Sequence, residues 1–566
     1  MRDRARKLDF ALARRFGLAT REDRIFYLLI GAVGILVGFG GLAIGALTDL
    51  LQRQLWGSGR NLLAAAMSAP WWLRVGAPII GGLMVGMIIY AARMRLVGHG
   101  TSSLLEAVAL KGGRIEAKPV LLAVAAGVAT VGSGGSLGRE GPMVSLGAMS
   151  ASWFGARLGL SSQRVKILVG CGAAAGVAAL YNTPIGGALF AMEVILGNFA
   201  LEIFGPIVVS SVLSTLVVRS FHGNAPIYAI PGYQLVSGWE LAFYVGLGVL
   251  GALASVVFIA ATRGAEHLFR AMRWVPTPFR PAIGMAFVGV LGLYVPYIYG
   301  NGFETITLAL HGKLPLLLLI ALPVAKLAAT ALTHGSGAVG GMFTPSLFVG
   351  SLVGGAYGTW VHHEWPTLTA ESGAYAAIGM AALAAGTSHA PISAILILFE
   401  FTGNYDLILP LMIASITSSL LARKLHPGSI YTESLLKKGI DVSLRMEEAA
   451  LASLKASDLA RPDRDVLRPS DDYKKVVDRF LSAHRQRLFV VDENGRLLGA
   501  ISLHDIKHAL EDPETLTAVV AHDLMIPAEA LEVDERLHRA TEVFAASDFE
   551  RLPVIDGEGR FVGVLA

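Results

Sequence analysis

The feature that most constrains this chain is a series of apolar segments that runs from about residue 26 to about residue 422. Only 16% of the residues are charged, whereas a soluble protein has about a quarter, and the mean hydropathy is +0.57. Several segments are shorter than the roughly 20 residues that a straight membrane-spanning helix needs, and many contain Gly-Gly or Gly-Pro. The pattern predicts an all-α polytopic membrane protein with tilted and discontinuous helices.

Changes of composition divide the chain into three parts. Residues 1–25 are arginine-rich, amphipathic and contain acids, which predicts an interfacial helix and not a cleaved signal or transit peptide. Residues 26–440 hold the apolar segments, and residues 441–566 are charged and typical of a soluble domain. The positive-inside rule favours a cytoplasmic N-terminus, and we expect the C-terminal part on the same side.

Composition and motifs disfavour several classes of function. Cys171 is the single cysteine, which leaves no disulfide framework and no cysteine-based metal site. A net charge of +4 is too small to indicate nucleic acid. The zinc-protease pattern fails because Thr367 stands where a second histidine should follow His363, and a divalent-cation transporter should show more intramembrane acids. We therefore expect no enzyme activity, no metal and no required cofactor.

An internal repeat organises the apolar part. The stretches 138–147 and 341–350 share Gly, Pro and Gly at spacings of four and five. Further along each half, a Pro-Ile pair is followed by a glutamate nine residues after the proline, at Glu193 and at Glu400. Two linked matches in the same order predict two homologous halves, an arrangement in which transporters place their site at the repeat interface.

The stretch "GSGGSLGREGP" (132–142) places a glycine-rich loop before a helix that Pro142 can start. Unpaired amides at such a helix N-terminus attract an anion, and Pro345 marks the equivalent helix in the second half. One alternative is a nucleotide-phosphate loop, which would need a Gly-Lys-Ser/Thr ending, and another is a plain loop between spans.

Glu140 is the titratable residue of this stretch. An ionised carboxylate can occupy an anion site and a protonated one can leave it, so Glu140 is predicted to be a gate or a proton carrier. The alternative is a structural pair with the neighbouring Arg139.

The C-terminal part contains a repeat of its own. "RLFVVDENGRLLGAIS" (487–502) aligns without gaps with "RLPVIDGEGRFVGVLA" (551–566). Each copy has two β-like runs around an acidic turn with glycine, preceded by an amphipathic helix, which predicts a tandem of α/β units. The second copy ends before the helix that follows the first, so we expect the chain shown to be truncated at Ala566.

Together these motifs resemble the CLC family of chloride channels and proton/chloride exchangers. The resemblance is carried by "GREGP", "NTPIGGALFAMEV", "GMFTP", "FEFTGNYDLILP" and "GSIYTESLL", and by a C-terminal tandem that resembles CBS domains. It implies two inverted repeats with about 18 helices or half-helices, and a homodimer with one anion pathway per subunit. The expected location is the lipid bilayer of a cell membrane, the inner membrane of a prokaryote, and the expected transported partner is chloride or a similar small anion.

The resemblance also implies roles for individual residues. Glu140 matches the gating glutamate, and the following residues fall where family members hold the anion: His99, Gly100, Arg139, Gly141, Met342, Phe343 and Tyr431. His99, in "GHGTSS", replaces the family's serine, and its imidazole can donate to an anion. Alternatively the ring packs elsewhere and Thr101 or Ser102 supplies the hydroxyl.

A second departure from the family pattern concerns proton coupling. Exchangers typically carry two adjacent acids where this chain has Glu193-Val194, so Val194 replaces the proton relay. This pattern resembles channel members and favours uncoupled, channel-like transport gated by Glu140. The alternative is a proton/chloride exchanger with a non-standard internal proton route. Glu193 and Glu400 are expected to share a structural role, at helix ends or near the dimer surface.

The CBS-like tandem offers a candidate adenine-nucleotide site. In such modules a Ser/Thr-x-x-Asp pattern after the second strand holds the ribose, and "SLHD" matches it with Ser502 and Asp505. The alternative is a tandem that serves only for dimerisation.

Overall fold

The computed structural model describes residues 21–57, 59, 61–92, 100–228, 230–437, 455–463, 465–483, 485–504, 506, 519–535, 537–546 and 551–565. The chain divides into two compact units, Met1–Val442 and Ser443–Ala566. The predicted interfacial helix therefore lies outside the described residues, apart from its last five positions. His99 and Asp505 also lie outside them.

The described residues of the first half of the membrane unit are mainly helical. Its helices are α1 (Arg21–Trp56), α2 (Leu62–Ser68), α3 (Trp71–Ala92), α4 (Thr101–Leu110), α5 (Ala117–Gly132), α6 (Glu140–Arg157), α7 (Ser162–Tyr181), α8 (Pro184–Phe190) and α9 (Leu201–His222). A π-helical turn, Ala191–Leu196, continues α8. Helix α1 runs across the boundary that the sequence suggested at residue 26.

The second half repeats this pattern. Its helices are α10 (Glu240–Ala271), α11 (Arg280–Tyr294), α12 (Phe303–Leu310), α13 (Leu316–Gly335), α14 (Phe343–Glu364), α15 (Ser372–Ser388), α16 (Pro391–Thr402), α17 (Ile408–Leu425) and α18 (Glu433–Leu436). Short 3₁₀ turns lie at Thr277–Phe279, Pro296–Ile298 and Tyr405–Leu407.

Helix lengths confirm the prediction of a discontinuous bundle. Seven helices of the described residues are long and apolar enough to cross a membrane, whereas α4, α5, α16 and the α8 helix with its π turn are too short. Helix α5 ends at Gly132 and α6 begins only at Glu140, so the helical structure is interrupted along the glycine-rich stretch.

The glycines of the sequence repeat let pairs of helices approach closely. A Cβ atom at Gly147 of α6 would lie 2.1 Å from the carbonyl oxygen of Gly172 on α7. In the second half, a Cβ at Gly350 of α14 would lie 2.4 Å from the carbonyl oxygen of Gly379 on α15. Small residues at such contacts are the usual means of packing helices in membranes, and here both repeats use them at equivalent positions.

Glu193 and Glu400 cap each other's helices across the repeats. The Glu400 carboxylate accepts hydrogen bonds from the amides of Ile185 (3.1 Å) and Gly186 (2.7 Å), at the start of α8. The Glu193 carboxylate accepts from the amides of Ile392 (3.2 Å) and Ser393 (2.7 Å), at the start of α16, and from the Ser393 hydroxyl (2.6 Å). Both glutamates therefore satisfy amides that a helix start leaves unpaired, as the helix-end reading expected.

The C-terminal unit consists of two similar α/β halves. The first has α19 (Ala456–Leu459), β1 (Val466–Leu467), α20 (Tyr473–Ala483), β2 (Arg487–Val491) and β3 (Leu497–Ser502); the second has α21 (Ala521–Leu524), β4 (Leu531–Glu532), α22 (Leu537–Ala546), β5 (Leu552–Ile555) and β6 (Phe561–Leu565). The sheet orders are β1-β2-β3 and β4-β5-β6, and in each the first pair is parallel and the second antiparallel.

The turn between the last two strands is the same in both halves. Asp492 accepts from the amide of Arg496 (2.7 Å), and Asp556 accepts from the amide of Arg560 (2.9 Å). The glycine of each turn has a positive φ, 80° at Gly495 and 79° at Gly559, a conformation that glycine adopts without steric cost. The acidic turn with glycine thus explains why the two sequence copies align without gaps.

Candidate functional site

The two glycine-rich loops of the repeats meet at one point. The amide of Gly138 donates to the carbonyl of Gly341 (2.9 Å), and the amide of Gly341 donates to the carbonyl of Gly138 (2.8 Å). Each loop also has a glycine with positive φ four residues earlier, 101° at Gly134 and 99° at Gly337. This reciprocal pair holds the starts of α6 and α14 next to each other at the repeat interface.

Glu140 is buried and binds the start of the opposite helix. Its Oε1 accepts from the amide of Thr344 (2.9 Å), and its Oε2 accepts from the hydroxyl of the same residue (3.0 Å). The Thr344 hydroxyl lies 2.8 Å from the hydroxyl of Tyr181. The carboxylate therefore occupies a place at the N-terminus of α14 where the helix favours negative charge.

Only glycine leaves room for this carboxylate. A Cβ atom at Gly138 would lie 1.9 Å from Oε2 of Glu140, and one at Gly341 would lie 2.2 Å from its carboxyl carbon. The glycines that the two halves share are therefore needed here for two reasons. They pair through their backbone groups, and they leave space for the Glu140 carboxylate.

A cavity of about 70 Å³ adjoins the junction. It is lined by Gly100, Thr101, Ser102, Gly141, His334, Gly337, Ala338, Val339, Gly340, Gly341, Met342, Ile430 and Tyr431. These described lining residues include no lysine or arginine, so the polarity of the cavity comes from amides, hydroxyls and one imidazole. Six of the residues predicted for the anion pathway or its inner hydroxyl meet here: Gly100, Thr101, Ser102, Gly141, Met342 and Tyr431.

The hydroxyls around this cavity differ in whether they already form hydrogen bonds. The Ser102 hydroxyl donates to the Tyr431 carbonyl (2.7 Å), so its proton already holds that segment in place. Within the part of the chain that is described, the hydroxyls of Thr101 and Tyr431 have no hydrogen-bond partner. The Tyr431 ring is fixed against Phe190, with ring centroids 5.9 Å apart. Thr101 and Tyr431 are therefore the side chains whose hydroxyl hydrogens remain for a ligand.

Two predicted anion residues do not line this cavity. Phe343 is the first residue of α14, and its buried ring packs against Tyr181 with centroids 5.9 Å apart. The guanidinium of Arg139 lies 4.0 Å from the Asp49 carboxylate and borders cavities of about 360 and 700 Å³ on α1. Neighbouring residues on a helix do not face each other, which separates Arg139 from the Glu140 carboxylate.

The other predicted residues lie apart from the junction. Val194 is half-buried in the π-helical turn Ala191–Leu196 and is not among the cavity residues. Ser502 is the last residue of β3 in the C-terminal unit.

Sequence reasoning missed three residues near the site. Thr344 donates to the Glu140 carboxylate, the Tyr181 hydroxyl lies next to the Thr344 hydroxyl, and His334 lines the cavity. Thr344 lies within the motif "GMFTP", and its hydroxyl could have marked it as a candidate donor to the site. The other two come from separate helices, so only the tertiary structure brings them to this point.

Lys326 now has a structural account. Its side chain is fully buried on α13, and its ammonium donates to the carbonyls of Ile298 (2.9 Å) and Gly300 (2.7 Å). The ammonium also lies 5.0 Å from the ring centroid of Phe348 on α14. Lys326 therefore ties the turn before α12 to the helix that carries the Glu140 site.

Profiles of known families match both units of the chain. The profile described as voltage gated chloride channel matches residues 81–423, and the CBS domain profile matches residues 456–512. The chain belongs to the voltage-gated chloride channel family. The match to the first α/β half also confirms the CBS resemblance for that copy.

Individual relatives agree with this assignment. A protein of Ralstonia nicotianae named as a ClcB-like chloride channel protein is 37% identical over 429 residues, which cover 75% of this chain and 100% of the relative. The voltage-gated ClC-type chloride channel ClcB of Escherichia coli is 33% identical over 418 residues, covering 72% and 98%.

Solved structures show the same fold. A slow cyanobacterial Cl⁻/H⁺ antiporter matches with a TM-score of 0.66 and 23% identity, covering 73% of this chain and 98% of that one. A eukaryotic CLC transporter matches with a TM-score of 0.61 and 19% identity, and covers 96% and 97%. The predicted CLC-like helical fold with a C-terminal α/β tandem is thereby confirmed.

Proposed function

We propose that this protein transports chloride through the junction of the two repeats, with Glu140 as the gate. The observation that carries the proposal is the position of the Glu140 carboxylate, which accepts from the amide and hydroxyl of Thr344 at the start of α14. A negative group already occupies the place where helix amides favour an anion. Chloride and the carboxylate therefore compete for the same donors.

Protonation supplies the gating step. An ionised Glu140 makes charge-assisted hydrogen bonds, which are about twice as strong as neutral ones. A proton on the carboxyl removes that charge, so chloride can displace the side chain from the Thr344 donors. Behind the junction, the free hydroxyls of Thr101 and Tyr431 and the amides of the cavity wall replace water around a dehydrated anion.

The channel-like, uncoupled mode is favoured by the residue beside Glu193. Val194 stands where exchangers of this family typically carry a second acid, so the usual internal proton relay lacks a titratable side chain. Proton/chloride exchange is the second candidate, because Glu140 itself can carry a proton through the junction. Two proteins of similar structure are antiporters, the cyanobacterial Cl⁻/H⁺ antiporter and a CLC-type fluoride/proton antiporter.

Flux from proteoliposomes tests the function and separates the two modes. Chloride efflux and proton movement are recorded together, with protein-free liposomes as the control. Chloride-selective efflux without stoichiometric proton movement is expected for the channel mode. Uphill proton transport driven by a chloride gradient would refute that mode in favour of exchange, and absence of protein-dependent chloride flux would refute the function.

The gate is tested by Glu140→Gln, which keeps the size of the side chain and cannot ionise. Chloride flux should become less dependent on pH, because the variant mimics the protonated state of Glu140 at every pH and removes the contribution of its titration. The matched control is Glu371→Gln, an exposed residue before α15 that makes no side-chain cap hydrogen bond. An unchanged pH profile in Glu140→Gln would remove Glu140 as the gate.

We also propose a homodimer in a prokaryotic inner membrane with both termini in the cytoplasm. Exposed apolar side chains along α9, such as Leu201 and Leu216, support a lipid or subunit contact.

Adenine-nucleotide binding at the CBS tandem is a further proposal, supported by Ser502 at the end of β3. Calorimetric titration of the full chain with ATP measures this binding, and Ser502→Ala should weaken it.

A further inference from the structure

A histidine–glutamate pair lies at the edge of the cavity that adjoins the junction. His334, in the last turn of α13, lines this cavity, and its Nε2 lies 3.2 Å from Oε1 of Glu266 on α10. A carboxylate only accepts, so this contact assigns the hydrogen of the neutral ring to Nε2. Nδ1 of His334 is buried and has no hydrogen-bond partner within the described residues. A buried polar atom of this kind calls for a ligand or a proton.

The pair is held rigidly. Oε2 of Glu266 accepts from the Arg270 guanidinium (3.1 Å), so both carboxylate oxygens are committed. Helices α10 and α13 also approach closely here, since a Cβ atom at Gly335 would lie 2.6 Å from the backbone of Ala265. The imidazole therefore has a fixed orientation at the cavity edge.

Two further cations of the described residues lie on neighbouring elements. Lys437, after α18, acts electrostatically on Glu266 together with Arg270. Arg280 at the start of α11 donates to the carbonyls of Val275 and Met272 (both 3.1 Å).

A second cluster on α10 and α18 is paired within itself. Arg263 lies 2.7 Å from Glu433, and His426 lies 2.8 Å from the same carboxylate. Among the residues that the structure describes, Tyr431 lines the cavity and Glu140 lies across the junction as further titratable groups. Among the described lining residues, His334 is thus the one histidine, the side-chain type that ordinarily changes charge near neutral pH.

We propose that His334 is an anion-binding residue of this cavity, and that a proton on its Nδ1 strengthens chloride binding there. The proposal rests on the proposed function, because it assigns a further residue to the same pathway. The neutral ring presents a lone pair at Nδ1, whereas the protonated ring carries a full positive charge beside a cavity whose described lining residues include no lysine or arginine. Proton and chloride binding then assist each other by the same factor, as linkage requires.

Chloride binding to the purified full chain tests this proposal. Affinity is measured by isothermal titration calorimetry at about pH 5.5 and about pH 7.5, on either side of about pH 6.5, where a histidine side chain ordinarily changes charge. All variants carry Glu140→Gln, because Glu140 competes for the same pathway and would add its own pH dependence. The comparison is between this background and the background with His334→Gln.

The matched control is His311→Gln in the same background. His311 follows α12, where its Nδ1 lies 2.8 Å from the Thr307 carbonyl oxygen, and it does not line the cavity. The background should bind chloride about tenfold more tightly at the lower pH, the value of one charge-assisted interaction. His334→Gln should reduce that ratio to below about twofold, and His311→Gln should leave it unchanged.

The outcomes separate the two proposals. A ratio that persists in His334→Gln, or that is absent from the Glu140→Gln background, overturns the role of His334 and leaves chloride transport intact. Absence of chloride binding at both pH values contradicts the proposed function itself. If His334→Gln is not monodisperse, His334→Asn replaces it in the same background: the ratio should again fall below about twofold, and a ratio that persists overturns the proposal.

Discussion

Removing either of the glutamates that cap across the repeats should destabilise the membrane unit. Glu400→Ala leaves two amides at the start of α8 without an acceptor, and Glu193→Ala leaves two amides and the Ser393 hydroxyl at the start of α16. Each carboxylate also neutralises the positive end of the helix that it caps.

The magnitude follows from the number of donors. A hydrogen bond to a charged group is worth about 1.5–3 kcal/mol when buried, and a helix cap about 1 kcal/mol. One amide at each site is exposed, so we expect a loss of about 2 kcal/mol for Glu400→Ala and about 3 kcal/mol for Glu193→Ala. The two caps lie at opposite ends of the α8–α16 pair, about 12 Å apart along the helix, so the losses should add in the double variant.

Cys171 provides the assay. It is the only cysteine of the chain and is fully buried on α7, so a thiol-reactive dye labels it only when this region opens. When reclosing is faster than labelling, the rate follows the free energy of opening. The losses above correspond to rates raised about 30-fold and about 150-fold.

Glu202→Ala serves as the control, because Glu202 is exposed in the first turn of α9. Its labelling rate should equal that of the unaltered protein. Labelling rates of Glu193→Ala and Glu400→Ala equal to that of Glu202→Ala would refute the capping argument. A double variant no worse than Glu193→Ala would refute the independence of the two caps.

Two further changes test the junction and the C-terminal unit. Gly341→Ala should displace the Glu140 carboxylate and make liposome flux less dependent on pH, whereas Gly264→Ala, whose Cβ meets nothing within 4 Å, should keep the normal pH profile. Burial favours the neutral form of Asp471, but the Arg468 amide and the Lys475 ammonium outweigh it and hold the pKa below its ordinary value of 3.8. Ionised Asp471 thus stabilises the C-terminal unit above that value, and this stabilisation is lost as pH falls through the folded-state pKa. Hydrogen exchange of β2 in the full chain should become faster as the pH falls, and Asp471→Asn should abolish this pH dependence.

Much of the fold followed from local pattern. Apolar segments too short to span, with glycines and prolines at repeated spacings, predicted discontinuous helices in two homologous halves, and the structure has them. The reason is that lipid offers no partners to backbone groups, so an apolar chain of this length has to be helical and has to bury each break in protein. The aligned C-terminal copies likewise predicted two α/β halves, since both carry the same strand, turn and strand pattern.

The membership of the candidate site was only partly predictable. Gly100, Gly141, Met342 and Tyr431 were named from short motifs, and they do line one cavity. Arg139 was named from the family resemblance of the same stretch that holds Glu140, but adjacent residues point to different sides of a helix start. Its guanidinium lies toward Asp49 instead.

The sequence by itself determined that most of the chain lies in a lipid bilayer, that it contains an internal repeat, and that Glu140 is the acid at the junction. Only the tertiary structure decided what that acid touches: the Thr344 donors come from the other repeat, 204 residues away in the chain. His334 and Glu266 are likewise 68 residues apart and meet because α10 and α13 pack closely at Gly335. Periodicity and spacing describe neighbours along a helix, whereas contacts between helices depend on how their surfaces fit, which no local pattern encodes.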